Sequence, residues 1–335
     1  MKQKHRNIPV FVPHEGCPHA CVFCNQKSIT HSSGITPHEA QEEFNKLKSP
    51  CEPGTQIAFF GGSFTAIGTD RMTAFLNAAA EAVKRGAAES IRLSTRPDAV
   101  DDEILNILRS FPVRSIELGI QSISDRVLSA CGRGHNAAQS IDAMKRVKKA
   151  GFELGGQMMT GLPESTREDE LETARAICCC GADCSRIYPT VVLRGTKLYE
   201  LAREGKYIPR TREESAEDAA SAYRVFFDHG VNVLRVGLCA NEGLSDEDCF
   251  GSFDPAVGEM CLSIIYRDEI EKKLVSSLPP RGSQIKIYVP EGDVSQAVGQ
   301  NKSNRIYLTV KYGLSRIGFY ENCSLTRFEA EIEVD

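Results

Sequence analysis

Three cysteines near the amino end of the chain are spaced in a way that suits metal chemistry. Cys17, Cys21 and Cys24 follow a C-x3-C-x2-C pattern directly after an apolar run. Soft thiolate ligands select iron–sulfur clusters or zinc. Three protein ligands leave one position open, as in a reactive centre, whereas a closed structural site takes four. The spacing therefore predicts a metal centre with one free coordination position.

A zinc site is the competing interpretation of this triplet. Zinc could use the three cysteines together with one of His14, His19 or His31. Zinc sites, however, usually pair two C-x2-C or C/H units, and no second unit follows here. A set of unrelated buried thiols is the third interpretation. The pattern favours an iron–sulfur cluster.

The order of strands and helices predicts how these residues are positioned. From residue 8 to about 240, short apolar runs alternate with helical patterns, which is typical of a parallel sheet built from βαβ units. Strands are predicted at Ile8–Pro13, Gln56–Gly62, Ser90–Pro97, Ser115–Ser122, Leu154–Pro163 and Ser185–Leu193. Helices are predicted at Arg71–Lys84, Asp101–Arg109, Ala137–Ala150 and Thr166–Cys180. Because six repeats are fewer than eight, we expect an α/β fold with a partial (β/α)6 TIM-like barrel.

Residues with chemical potential lie at the carboxyl ends of the predicted strands. The cysteines follow the first strand. The later strands end in Gly61-Gly62-Ser63, Arg96-Pro97-Asp98, Gln121 and Gly161-Leu162-Pro163. In (β/α) barrels the functional groups lie at that end of the sheet. We therefore expect one site to which several strands contribute.

The composition limits the classes of protein to which the chain can belong. Its 335 residues fit one large α/β domain and a smaller one. A formal net charge of −5 excludes a general polyanion binder. The amino end has no apolar signal region, and no run reaches the ~18 apolar residues of a membrane helix. Thirteen cysteines without secretory context indicate a reducing compartment, so we expect a cytoplasmic protein with no membrane partner.

Several motifs of the chain resemble the radical S-adenosylmethionine (SAM) superfamily. The triplet has the spacing of that superfamily, and FFGGSF, STRPD, IELGIQS, MMTGLP and RIYPTVVLRGTKLYEL are similar to the radical SAM domain of the elongator catalytic subunit and its bacterial relatives. The resemblance covers about residues 6 to 240. It implies a [4Fe-4S] cluster on Cys17, Cys21 and Cys24, with SAM on the fourth iron. One electron, from a small protein such as flavodoxin or ferredoxin, would then release a 5′-deoxyadenosyl radical.

The same resemblance implies an RNA substrate, because those relatives modify wobble uridines of transfer RNA (tRNA). Two departures from the family pattern accompany it. The eukaryotic relatives have a longer gap before the C-x2-C pair, whereas this chain has the short one. Nothing after residue 240 is long enough for the acetyltransferase domain of those relatives. We therefore expect a bacterial short form of this family, which keeps the radical-generating domain and lacks the acetyltransferase domain.

The resemblance also assigns the methionine end of SAM to the end of the second strand. In the family a Gly-Gly motif there receives the amino group of the cofactor, and here it is Gly61-Gly62, followed by Ser63. Only glycine lets the backbone approach a ligand so closely. Phe23 is expected to cover the adenine, with a place in the core as the alternative.

Other predicted SAM contacts come from later strands. Gln121 and Arg133 resemble polar contacts of the oxygen-independent coproporphyrinogen dehydrogenase branch. Gln157 falls where that branch has a ribose-binding acid, and Ser94 falls where relatives often carry glutamate. Both side chains can still form a hydrogen bond with a hydroxyl. We expect Glu117 to be either an acid that faces the barrel interior or an ion-pair partner of Arg92 or Arg114.

The last fifty residues predict a small α+β domain. A strand at 284–290, helices at 294–298 and 303–311 and a strand at 315–320 give a β-α-α-β order. With Gly299-Gln300-Asn301-Lys302 between the helices, it resembles a KH domain whose GXXG loop lacks its second glycine. Such loops clamp single-stranded nucleic acid. Residues 281–322 carry six basic and three acidic residues, so we expect RNA binding, with a small stabilising domain as the alternative.

We therefore expect three segments and one main function. Residues 1–240 form the radical SAM barrel, 241–280 a helical extension and linker, and 281–335 the KH-like domain. The predicted activity is radical modification of a tRNA base. One alternative is a radical SAM oxidase of a small molecule or porphyrin, and another is a metal-bearing RNA-binding protein without catalysis.

The remaining cysteines suggest a second cluster only weakly. Consecutive residues on a helix point about 100° apart, so Cys178, Cys179 and Cys180 cannot all face one cluster. We expect these residues and Cys184 to act as small apolar side chains. Cys239, Cys249 and Cys261 could supply auxiliary ligands or a quenching thiol.

Overall fold

A parallel sheet of seven strands is the main feature of the computed structural model, which describes residues 6–12, 17, 21–25, 34–238, 248–251 and 253–334. The first nine strands, β1 to β9, are Arg6–Val12, Thr55–Gly61, Ser90–Thr95, Val113–Gln121, Glu153–Thr160, Cys184–Pro189, Val192–Leu193, Asn232–Val236 and Cys249–Phe250. The sheet has the order β1-β2-β3-β4-β5-β6-β8, with every pair parallel, and it curls into a half-barrel. Strands β7 and β9 form a separate antiparallel pair.

Helices connect the strands and have strong sequence signals at their amino ends. Helices α1 to α8 are Pro37–Asn45, Thr69–Lys84, Asp102–Arg109, Asp125–Ala130, Ala137–Lys149, Arg167–Cys179, Lys197–Arg203 and Arg212–Asp228. Four of them begin with a reciprocal capping box, in which a side-chain oxygen satisfies a backbone N–H of the first turn. These caps are at Thr36, Asn136, Thr166 and Thr211.

The two faces of the sheet differ in polarity. On β3, Ile91 and Leu93 are fully buried in the main hydrophobic core, as are Ile116 and Leu118 on β4. The residues that alternate with them point into the half-barrel and form polar contacts with one another, as described below. Buried parallel strands normally read as continuous apolar runs. The polar inner positions therefore mark the half-barrel interior as a place for chemistry.

A small α+β domain follows the long helix α9, Val257–Ser277. Its elements are β10 Gln284–Val289, α10 Val294–Val298, α11 Ser303–Tyr312, β11 Arg316–Glu321 and β12 Glu331–Val334. The sheet order is β11-β10-β12, with β11 parallel and β12 antiparallel to β10.

This domain packs closely on α9 and α8. The amide of Asn304 on α11 donates to the carbonyl oxygen of Ser263 on α9 at 2.7 Å and to that of Ala297 at 3.1 Å. The backbone N–H of Phe328 donates to the hydroxyl of Tyr266 at 3.1 Å. The ring of Phe328 contacts Tyr223 on α8 edge-on at 5.5 Å. The small domain is thus anchored by buried hydrogen bonds and aromatic contacts.

The predicted α/β partial barrel and the small second domain are confirmed, and some elements differ. The strand predicted at 185–193 divides into β6 and β7, and the apolar segment near 232 joins the sheet as a seventh strand. Short elements were missed, namely α1, α4, α7, β9 and β12.

The expected basic excess of the last domain does not extend over its whole length. Residues 281–335 carry seven basic and seven acidic residues, because acidic residues on and around β12 offset the basic ones before it. Among the described helices, none combines the length and the apolar character that crossing a membrane requires.

Candidate active site

The structure places the cysteine triplet against the end of β2. The sulfur of Cys17 lies 3.5 Å from the hydroxyl oxygen of Ser63, which directly follows Gly61-Gly62. Gly61 has a φ of 109°, which favours glycine, and the N–H of Gly62 donates to the carbonyl of Val12 on β1 at 2.8 Å. The predicted cluster segment and the predicted SAM segment are therefore neighbours in space.

Arg133 connects the second cysteine to the sheet. One guanidinium nitrogen lies 3.3 Å from the sulfur of Cys21, and the other donates to the carbonyl oxygen of Gly119 on β4 at 2.6 Å. The backbone of the cysteine loop is held on two sides, because the N–H of Val22 donates to Cys131 at 3.0 Å and its carbonyl accepts from Leu198 at 2.8 Å. Arg133, which the sequence predicted as a SAM contact, thus also contacts the triplet.

The three thiols of the triplet are soft donors of the kind that iron–sulfur clusters take. Cys17, Cys21 and Cys24 are partly exposed thiols. Within the described ranges, no three His, Cys, Asp or Glu side chains converge on a point that could hold one metal ion. A [4Fe-4S] cluster whose fourth iron is left for SAM takes one thiolate on each of the other three irons, which matches the three thiols of the triplet. His14, His19 and His31, the histidines considered for zinc, lie outside the described residues.

Gln121 ends β4 in an unusual conformation. The pairing of β4 with β5 shifts between Gly119 and Gln121, and Gln121 has a positive φ of 64°. Non-glycine residues in this region cost free energy and concentrate at functional sites. Its Oε1 atom is buried and has no hydrogen-bond partner among the described residues. The strand irregularity therefore presents an unsatisfied acceptor beside Arg133, which fits a donor on a bound cofactor.

Ser94 and Gln157 are hydrogen-bonded to each other inside the half-barrel. The amide nitrogen of Gln157 on β5 donates to the Ser94 hydroxyl at 3.2 Å and to the Glu117 carboxylate at 2.8 Å. Glu117 is almost fully buried and binds Arg186 and Arg92. Of the two arginines considered from the sequence, Arg92 is a partner of Glu117, and Arg114 instead pairs with Glu153.

Phe23 packs into apolar surroundings beside the cysteine loop. Its ring contacts one buried cluster made by Val127, Cys131 and Leu162 and a second made by Val192, Leu198 and Ala202. The side chain is partly exposed. Its role over an adenine stays a prediction, and its packing contributes an apolar wall to the site.

At the end of β3, where the sequence pointed to Arg96-Pro97-Asp98, the structure shows an ion pair and a neighbouring buried histidine that sequence reasoning did not predict. The guanidinium of Arg96 donates two hydrogen bonds to the carboxylate of Asp98, and the one from Nε to Oδ1 is 2.9 Å long. Burial lowers the pKa of Arg96, but the Asp98 carboxylate and the thiols of Cys17 and Cys21 outweigh it and raise the pKa. Burial and the charge of Arg133 lower the pKa of His135 to about 4, so this imidazole is neutral near pH 7. The position of Arg96 at a strand end was the available signal.

A second missed cluster lies after β5. The N–H of Gly161 donates to Glu170 at 2.7 Å, and its carbonyl accepts from the Tyr207 hydroxyl at 2.6 Å. Burial, with the charge of Asp218 adding to it, raises the pKa of Glu170 to about 7. Arg210 pairs with Asp218 at 3.5 Å. These acids come from α6 and α8, so no local motif joins them in the sequence.

The other cysteines do not assemble into a second site within the described chain. Cys178 and Cys180 are half-buried at the end of α6, Cys179 is exposed, and burial raises the pKa of Cys184 to about 11. Cys249 and Cys261 are buried in separate places, and Cys239 lies outside the described residues. The expectation that the first four act as small apolar side chains in the core is wrong for Cys179, which is exposed, whereas Cys178 and Cys180 pack against the main core and Cys184 is buried.

The sequence profiles of a known superfamily match most of the chain. The Radical SAM superfamily profile matches residues 11–177, and the profile of its C-terminal domain matches residues 182–266. This protein belongs to the radical SAM superfamily. Its cofactors are accordingly a [4Fe-4S] cluster and SAM, which proteins of this superfamily bind.

Individual relatives are distant. An uncharacterized protein of Methanocaldococcus jannaschii is 29% identical over 64% of this chain and 69% of its own length. A tRNA uridine(34) acetyltransferase of Methanocaldococcus infernus is 26% identical over 52% of this chain. The heme chaperone HemW of Bacillus subtilis is 23% identical over 74% of this chain and 65% of its own length. The alignment with the acetyltransferase spans only 36% of that longer protein.

A solved structure supports the fold. The archaeal Elp3 of M. infernus superposes with a TM-score of 0.62 at 20% identity, covering 78% of this chain and 63% of that one. At this identity the likeness concerns the fold alone.

Proposed function

We propose that this protein holds its [4Fe-4S] cluster on Cys17, Cys21 and Cys24 and uses SAM for radical modification of a tRNA base. The observation that carries the proposal is the contact between Cys17 and Ser63, which joins the triplet to the Gly61-Gly62 segment. The substrate class is supported by the sequence similarity to a tRNA uridine(34) acetyltransferase.

The residues of the chain have separable roles in this proposal. When bound, the cluster and SAM supply a 5′-deoxyadenosyl radical that removes a hydrogen atom from a substrate C–H bond. Arg133 donates toward the sulfur of Cys21 and offsets negative charge there. Gly61 has no side chain, so the methionine end of SAM can approach its backbone closely, and the buried acceptor of Gln121 can accept a hydrogen bond from the amino group of SAM.

Water is kept from one side of the site by apolar packing. Val22 and Phe23 of the cysteine loop contact Val127 and Leu162 on the half-barrel. Excluding water protects a reactive radical from side reactions. An electron must enter from outside, so we propose a small redox protein of the flavodoxin or ferredoxin type as donor. A cytoplasmic location is proposed with it.

The test of catalysis is formation of 5′-deoxyadenosine from SAM by the reduced, anaerobically reconstituted full chain. We expect product with the wild type, and more when unmodified tRNA is added. Cys21→Ala should abolish product and bound iron. Cys179→Ala is the matched control, because that thiol is exposed at the end of α6. Iron binding without any product would instead indicate a metal-bearing protein without catalysis.

The tRNA part has its own test. Nucleosides from bulk tRNA of a deletion strain should lack one modified species by mass spectrometry, and the wild-type gene, but not Cys21→Ala, should restore it. Identical nucleoside profiles in both strains, with no binding of tRNA by the purified protein, would contradict the substrate assignment.

A tetrapyrrole ligand is the second candidate. Its support is the alignment with the heme chaperone HemW, which covers 74% of this chain and is longer than that with the acetyltransferase. If the chain binds a tetrapyrrole, titration of the full chain with hemin should give a saturable change in the Soret band. An absorbance that shows no binding at micromolar protein would exclude this function.

A further inference from the structure

We infer that Glu117 is a positioning residue that fixes the orientation of the Gln157 amide, so that this chain presents a neutral acceptor to the ribose of SAM. The inference rests on the proposed function, because SAM is the ligand. If Glu117 has this role, a carboxylate at position 157 is unfavourable in this protein.

The hydrogen bonds of Gln157 determine which way its amide points. An amide group has two N–H donors on nitrogen and one acceptor oxygen. The nitrogen lies 2.8 Å from Oε2 of Glu117 and 3.2 Å from the hydroxyl of Ser94, so both N–H groups are used. Exchanging the amide oxygen and nitrogen would bring two acceptors together at the Glu117 contact. The observed orientation is therefore the one that the carboxylate imposes.

Glu117 can impose this orientation only if it is ionised. Its Oε2 accepts from Nε of Arg186 at 2.6 Å, and its Oε1 accepts from a second nitrogen of Arg186 at 3.1 Å. Oε1 also accepts from Arg92 at 3.0 Å. Burial raises the pKa of Glu117, but the two guanidinium groups outweigh burial and lower it. An ionised carboxylate only accepts hydrogen bonds.

The amide oxygen of Gln157 remains for a ligand. Gln157 is partly exposed on the inner face of β5, although its neighbours Leu154 and Met158 are fully buried. Both hydrogen bonds that the Gln157 side chain forms with described residues start from its amide nitrogen, not from its oxygen. Across the sheet, Gln157 is the partner of Gly119, whose carbonyl binds Arg133 beside the cysteine triplet. The free acceptor thus lies near the proposed cofactor site.

A carboxyl group at this position would meet the carboxylate of Glu117. Two carboxyl groups at about 3 Å cannot both ionise and share a proton instead. While protonated, the introduced group could donate to Glu117 and still accept from a ribose hydroxyl. After losing that proton it would be repelled from Glu117 and turn away. Binding of SAM by such a variant should therefore weaken as pH rises.

Further charged or titratable groups surround Glu117 and Gln157. Burial raises the pKa of Cys184 to about 11, which keeps that thiol neutral in the range to be tested. The groups that face Glu117 and Gln157 from the packed strands and loops are Arg92, Glu153, Cys184, Arg186, Tyr188 and Arg133. Arg186 lies across from Gln157 on β6, and its positive charge would partly offset the repulsion between an introduced carboxylate and Glu117. The direct effects of the other groups on SAM are common to wild type and variant, so the ratio of the two affinities reports on the introduced group.

The experiment measures the Kd of SAM for the cluster-reconstituted full chain from pH 6.5 to 9. For Gln157→Glu we expect an affinity within about threefold of wild type at the low end and at least about tenfold weaker at the high end. Gln157→Met should be weaker by a similar factor at every pH. Gln139→Glu is the control for an added charge, because Gln139 is exposed and a glutamate preserves its capping box.

The exchange E117Q/Q157E is the rescue test. It leaves one carboxyl and one amide in the network, so the pH dependence of Gln157→Glu should disappear. Melting temperatures identify variants that do not fold, and a Gln157→Glu protein that binds equally or more tightly at pH 9 overturns the inference. If the wild type binds no SAM, both the proposed function and this inference fail. If the wild type binds SAM and the ratio of the variant and wild-type affinities does not change with pH, only the role of Glu117 fails.

Discussion

The guanidinium of Arg133 lies 3.3 Å from the sulfur of Cys21, and its second arm donates to the Gly119 carbonyl at 2.6 Å. A cationic donor at a cluster ligand stabilises the more negative, reduced state. This contact should therefore tune the redox potential of the cluster, as well as the position of the cysteine loop.

Replacing Arg133 tests that relationship. Arg133→Gln should lower the midpoint potential by about 60 mV, the one-electron equivalent of about 1.4 kcal/mol, which is the strength of one charge-assisted hydrogen bond. Arg133→Lys keeps the charge and should shift it less. Redox titration followed by electron paramagnetic resonance measures both. Equal potentials in all three proteins would show that the contact does not reach the cluster.

Loss of Glu117 should destabilise the half-barrel. Glu117→Leu leaves the buried guanidinium groups of Arg92 and Arg186 without their shared counter-ion. Breaking a buried ion pair on one side costs about 3–5 kcal/mol. Urea unfolding should show this loss of stability. Glu168→Leu removes an exposed partner of Arg175 and is the control, with an expected change below about 1 kcal/mol.

The stability of the fold should depend on pH through Glu170. Its pKa is raised from 4.5 to about 7 in the folded chain, chiefly by burial, so the folded state holds the proton more tightly than the unfolded state. The free energy of unfolding should therefore fall as pH rises from 4.5 to 7, by up to about 3 kcal/mol from this group. The glutamine of Glu170→Gln does not titrate, so this decline should be absent from the variant. The difference between the unfolding free energies of wild type and variant at each pH therefore measures the contribution of Glu170. A constant difference would contradict the assignment.

The anchoring of the small domain is testable at Asn304. Asn304→Ala would leave the buried carbonyl groups of Ser263 and Ala297 without their donor, which costs about 1–3 kcal/mol. Denaturation should show lower stability, and limited proteolysis should show earlier cleavage after α9. Asn301→Ala is a control in the loop before α11, although its positive φ of 52° adds a smaller strain. Equal proteolysis of Asn304→Ala and wild type would argue against the anchor.

Local signals in the sequence were sufficient for much of the fold. Alternation of apolar runs and helical patterns predicted the six strands, because each strand buries one face in a common core. The motifs at strand ends predicted one site to which several strands contribute, and in the structure Cys17 lies beside Ser63. The two-residue strands β7 and β9 carry no such periodicity, since their pairing depends on contacts between distant parts of the chain.

The charged networks could not be predicted from local pattern. Arg186 pairs with an acid 69 residues earlier, and Glu170 is influenced by an acid on a different helix. The positive φ of Gln121 depends on the shifted pairing of β4 with β5. Only the assembled sheet determines these distances and dihedral angles.

The backbone of Val22 is fastened by Cys131 on one side and by Leu198 on the other. A fragment that ends at residue 177, where the match to the Radical SAM superfamily ends, would lack Leu198 and therefore the hydrogen bond from Leu198 to Val22. It would also lack β6 and β8. Such a fragment would expose one flank of the sheet and leave the thiol-bearing loop secured at a single point. Minimal versions of this protein for spectroscopy should therefore retain the chain at least through β8, which keeps both hydrogen bonds of Val22 and the last strand of the sheet.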